Sequence, residues 1–170
     1  MKHFVGFLLL QLAAALFARG RISESLQRTE ALRSYHDMIE QLRGLLESDG
    51  SPMPALLETL AGRTVGEANA FVMGLSREMD RLGEDRFQNL WKQALSDHCR
   101  YLDGDIRREL VSLGTVIGRY DPVTQLEAIN ACLEKLRRSL QERQRTQAQD
   151  TRVTLALSLS ASLLAGILLI

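Results

Sequence analysis

Side chains able to do covalent or metal chemistry are few in this sequence, and their spacing does not suit that chemistry. His98 and Cys99 form the one His–Cys adjacency, and two ligands cannot close a tetrahedral zinc site. The carboxylate pairs Glu84/Asp85 and Asp103/Asp105 fall where helices are expected to begin or end. There, solvation and the helix dipole account for acidic residues without any acid–base role. The sequence holds no phosphate-cradling G-x-x-x-x-G-K, no G-x-S-x-G elbow and no H-E-x-x-H pair. It therefore predicts a non-enzymatic protein with no catalytic residue, no metal ligand set and no cofactor. The 21 basic and 21 acidic side chains cancel, so nothing globally basic points to nucleic acid as a partner. Cys99 and Cys132 are far apart and lack C-x-x-C spacing; they read as free thiols of a reducing compartment.

If the chain does not catalyse, its informative residues are those that shape and join helices. Aromatic residues make up 5% of the chain and prolines number three, which disfavours a pleated sheet and favours an all-α fold. Ile22, Leu26, Tyr35, Ile39, Leu42 and Leu46 recur at helical spacing. The D-G-S-P-M-P run at 49–54 then breaks the pattern. Ser51 is placed to cap a second helix with Pro52 at its first position, and Pro54 follows within the first turn. Thr64 and Glu67 have the spacing of a capping box for a third helix bearing Ala68, Phe71, Val72, Leu75, Met79 and Leu82. A fourth carries Phe87, Leu90, Trp91, Ala94 and Leu95; a fifth Ile106, Leu110, Leu113 and Ile117. The sixth carries Leu126, Ile129, Leu133, Leu136 and Leu140, and no Gly or Pro interrupts residues 123–165. Unbroken, that helix would be a rod roughly 70 Å long.

The ends differ from the middle. Residues 4–18 and 153–170 carry no charged side chain, and an apolar run of such length approaches or meets what a bilayer core of about 30 Å requires. The first run also resembles a signal peptide, with Lys2 before it and Ala13-Ala14-Ala15 as a small-residue cleavage site. Charge placement favours an uncleaved anchor. Arg19, Arg21, Arg28 and Arg33 follow the first run, and Lys135, Arg137, Arg138, Arg143, Arg145 and Arg152 precede the second. Both flanks put the middle in the cytoplasm by the positive-inside rule. The expected layout is an N-terminal transmembrane helix (3–18), a cytosolic α-helical bundle of about six helices (19–149) and a C-terminal transmembrane helix (151–170), with both termini across the membrane. The alternative is a secreted helical binding module with a cleaved N-terminus and a C-terminal anchor. Thr154, Ser158, Ser162 and Ala165 fall on one face of the last segment, as a packing face between membrane helices would. Its counterpart would be the N-terminal helix or another copy of the chain.

Residues 110–125 read L-V-S-L-G-T-V-I-G-R-Y-D-P-V-T-Q, with two glycines inside a helical apolar pattern. A helix-interior glycine costs roughly 1 kcal/mol against alanine. Gly118 is expected to end the fifth helix in a left-handed conformation, because Asp121 and Pro122 at once supply an N-cap and first-turn proline for the sixth. Gly114 is left as a position where a neighbour packs too closely for a side chain. Gln125 lies one place late for a capping box with Asp121, leaving its amide for another partner.

This segment, as L-x-x-L-G-x-x-I-G-x-x-D-x-x-x-Q, resembles the stage III sporulation protein AB family of endospore-forming bacteria. S-P-M-P-A-L-L-E-T-L-A at 51–61 and the W-x-x-A-L element at Trp91 agree with it, as do the length and the terminal apolar segments. The resemblance implies a membrane component of the channel complex between mother cell and forespore, in the mother-cell membrane. It also implies a soluble domain similar to the F-type platform domains of type II secretion systems. By that likeness the domain would face the cytoplasm and engage a secretion-type ATPase, the stage III sporulation AA protein.

Overall fold

A computed structural model describes the backbone of residues 2–48, 52–81, 83, 85–119 and 121–168, and the side chains of 23–48, 52–80, 83, 85–119 and 121–146. The described residues form six α-helices and no strand: α1 (Lys2–Ser48), α2 (Met53–Ala61), α3 (Gly66–Glu78), α4 (Phe87–His98), α5 (Gly104–Val116) and α6 (Pro122–Leu168). A 3-10 turn, Met79–Arg81, extends α3. Among the described residues no helix is long and apolar enough to cross a membrane. The side chains of both terminal apolar runs, including Thr154, Ser158, Ser162 and Ala165, lie outside the described set.

The chain divides into two compact units, Met1–Leu136 and Arg137–Ile170. In the first, α3 packs against α1, α2 and α4, while α4 packs against α5. Its core is built from apolar residues at three- and four-residue spacing: Leu32, Tyr35, Ile39 and Leu42 on α1, Leu56, Leu57 and Leu60 on α2, Phe71, Val72 and Leu75 on α3. Leu90, Trp91 and Leu95 on α4, Ile106, Leu110 and Leu113 on α5, and Ile129, Cys132 and Leu136 on α6 complete it. Spacing of that kind puts each set on one stripe of its helix, and burying those stripes stabilises the fold. In the second unit the described side chains of 137–146 are exposed or half-buried, as expected where the sequence offers no apolar face.

Three local expectations differ from the structure. Leu26 is 57% exposed and Leu45 is buried where Leu46 was expected, because the stripe of α1 runs through Leu42 and Leu45 rather than following every leucine. Pro52 is the N-cap of α2, not its first residue; its carbonyl accepts the amides of Ala55 and Leu56 at 3.0 and 3.2 Å, and Pro54 sits inside the first turn, where it sacrifices no helical N–H bond. Thr64 and Glu67 form no capping box, since Val65 is the N-cap of α3 and makes no side-chain cap bond. The Thr64 hydroxyl instead donates back to the Leu60 carbonyl at 3.0 Å and accepts from the Asn69 amide at 3.1 Å.

Candidate functional site

The residues singled out in the sequence gather mainly at two adjacent places: the contact of α4 with α5, and the turn from α5 to α6. Trp91 lies on the buried stripe of α4 and is 1% exposed. Its indole Nε1 donates to the Leu110 carbonyl of α5 at 2.7 Å. For the ring to reach that oxygen it must cross the surface of α5 one turn further on, at Gly114. A Cβ added there would lie 2.5 Å from Trp91 Cγ and 2.6 Å from Nε1, with Cδ1 closer still. The ring occupies the space a side chain would need. Behind it the aromatic contacts continue: Trp91 meets Phe71 edge-on at 4.9 Å and Phe87 at 5.8 Å, and Phe71 meets Tyr35 at 5.9 Å. The Trp91–Gly114 contact is thus tied through Phe71 to α3 and α1.

One turn later α5 stops. Ile117 is its C-cap, and the Ile117 amide still donates to Leu113 at 3.1 Å. Gly118 follows with φ +74°, the left-handed region that side chains resist. Its amide donates to Gln125 Oε1 at 3.1 Å, so the glutamine one turn into α6 ties back to the end of α5. Asp121 opens α6: its Oδ1 accepts the amides of Val123 and Thr124, each at 3.1 Å, and Oδ2 accepts the Thr124 hydroxyl at 2.7 Å. These donors, the Thr124 hydroxyl foremost, hold the exposed Asp121 carboxyl below the usual carboxylate range. An open groove of about 380 Å³ lies beside the turn, lined by Arg86, Phe87, Thr115, Ile117, Gly118 and Arg119 among others. Gly114, Trp91, Gly118, Asp121 and Gln125 therefore share one region, whereas Pro52 and Pro54 begin α2.

A polar seam holds the other end of α4. Glu67 Oε1, in the first turn of α3, accepts the backbone amides of Arg100 and Tyr101, the latter at 3.1 Å. The Arg107 guanidinium donates to the Cys99 carbonyl. The Tyr35 hydroxyl is buried beside Cys99 and completes no hydrogen bond of normal geometry. Burial pushes the Tyr35 phenol and the Cys99 thiol up from their ordinary values, and pushes Cys132 up to about 12. Both cysteines are free and buried, and a thiol kept protonated is a poor nucleophile.

One feature was missed in the sequence. Gly74, in the middle of α3, faces His98 so closely that a Cβ would stand 2.5 Å from Nε2. The signal was present, since a mid-helix glycine asks for a neighbour there as much as at Gly114.

Comparison with known proteins settles the family. The model of the family described as stage III sporulation protein AB matches residues 3–170. The chain belongs to the stage III sporulation protein AB family. A solved structure titled "Stage III sporulation protein AB (SpoIIIAB)" superposes with a TM-score of 0.64 at 19% identity, covering 72% of this chain and 98% of that one. At that identity the likeness speaks for the fold alone, and the fold agrees. Among curated proteins none matches the chain. The matched residues 3–170 include Pro52, Trp91 and the Gly114–Gln125 segment.

Proposed function

We propose that the protein is a non-enzymatic membrane scaffold of the channel complex between mother cell and forespore. Its helical domain lies on the cytoplasmic side and engages a secretion-type ATPase of the stage III sporulation AA kind. Both termini lie across the mother-cell membrane, with lipid around the terminal segments, and copies of the chain associate there. The observation that carries this reading is the family match over residues 3–170. The arginines and lysines flanking both apolar runs support the topology. The inert thiols and the structural use of Glu67, Asp121 and Gln125 support a scaffold rather than a catalyst.

The full chain, extracted from membranes in mild detergent, should co-purify with the AA-type ATPase at a fixed ratio. A folded chain that retains none of it would sink the partnership. Topology is read separately with Ser112→Cys, an exposed position on α5, because Cys99 and Cys132 are buried. A membrane-impermeant maleimide should label it only after lysis, and labelling of intact cells would favour the secreted module.

A further inference from the structure

Away from the joint, one turn of α1 brings an imidazole and two carboxylates together. His36, Asp37 and Glu40 each offer one ligand atom, and these atoms all lie within 4.8 Å of one another. His36 and Glu40 are four residues apart and so neighbours on one helix face. The Asp37 carboxylate closes the set, with Oδ1 3.2 Å from His36 Nδ1. The reverse of this turn is anchored, because Tyr35, Met38 and Ile39 are buried in the core. The backbone that spaces the three groups is therefore held by the fold.

Neighbouring cations do not neutralise the cluster. The Arg33 guanidinium is directed to Glu30 at 3.8 Å, and that of Arg43 to Glu47 at 3.8 Å and to Asn130 at 3.4 Å. Among the described residues Glu40 makes no hydrogen bond or ion pair, and Asp37 makes only its contact with His36. Two carboxylates so close repel one another.

We infer that His36, Asp37 and Glu40 form a binding site for one divalent transition-metal ion of the zinc class. Two carboxylates match the charge of a divalent cation. The imidazole nitrogen selects a borderline metal over magnesium or calcium, which prefer oxygen ligands throughout. Three protein ligands leave a position for water or another donor, and the cluster's half-buried to exposed surroundings leave that position open.

Zinc is titrated into the full-length chain in detergent at neutral pH, in competition with a chromophoric chelator. One ion per chain should bind, with excess magnesium failing to displace it. His36→Ala and Glu40→Gln should each weaken binding by more than about tenfold, since even groups supporting a ligand commonly matter by that much. Glu40 is exposed and His36 half-buried, so each variant's zinc-free melting is measured alongside, and a match to wild type assigns the lost affinity to ligation. His3→Ala should bind as wild type does. The assignment is overturned if wild type binds no zinc, if either ligand variant keeps wild-type affinity, or if His3→Ala weakens binding instead.

Discussion

Gly114 and Gly118 stand one helical turn apart, yet the same residue type meets opposite needs at the two positions. Gly114 has ordinary helical backbone, and what excludes a side chain there is another residue, the Trp91 ring. Gly118 has nothing within 4 Å of where its Cβ would be, and what excludes a side chain is its own φ of +74°. One glycine is required by tertiary packing and the other by local conformation. The difference shows that a glycine signal has two separable causes, and that only the second is written in its immediate sequence neighbours.

The contrast can be tested by substitution, and Trp91→Ala should have the largest effect. It empties a fully buried aromatic position, removes the bond to Leu110 and breaks the contacts with Phe71 and Phe87. A loss of about 3–5 kcal/mol is expected, measured by urea unfolding followed by circular dichroism. An undiminished midpoint would mean that the α4–α5 contact contributes little.

Gly114→Ala comes next, at about 1–3 kcal/mol, because the added methyl forces the indole off its place. Trp91 is the single tryptophan of the chain, so its emission reports the displacement directly. In a Trp91→Ala background the same substitution should become neutral or stabilising, since only the helix-propensity gain of roughly 1 kcal/mol remains. Additive effects in that double-mutant cycle would disconnect Gly114 from Trp91.

Gly118→Ala should cost about 1–2 kcal/mol, the strain of a left-handed alanine. Unlike the loss at Gly114, it should be the same with or without Trp91. Emission of Trp91 should stay at the wild-type wavelength, and a shift there would show that the two glycines act as one unit after all.

How much of this was legible in the sequence follows the same division. The stop at Gly118 and the start at Asp121 were readable because cap, proline and glycine lie within a few residues of one another. The six helices were readable from periodicity. The partner of Gly114 was not, because Trp91 sits on a different helix and no spacing rule links the two. The rotation of α1 that exposes Leu26 and buries Leu45 is decided by what α1 packs against, α3 and α2. Glu67 had the spacing of a capping residue, but the amides of Arg100 and Tyr101 claim its carboxylate. In each case the local rule was sound and a distant group supplied the competing interaction.

The smallest effect belongs to the local side of the contrast and depends on pH. Asp121 caps α6 through bonds from Thr124 and Val123 that favour its ionised form, so its folded pKa lies below the ordinary value of 3.8. A carboxyl depressed on folding contributes stability that is present above the unfolded value and lost as the pH falls through the folded one. Wild type should therefore lose an increment of urea resistance on acidification below about 3.8. Asp121→Asn keeps a capping oxygen but cannot titrate, so its stability should fall less over the same interval. The Gly114→Ala protein should lose the same increment as wild type, because a steric contact with Trp91 has no proton to exchange. If instead Asp121→Asn follows the wild-type acid profile, the cap at the α5–α6 turn is not what the low pH removes.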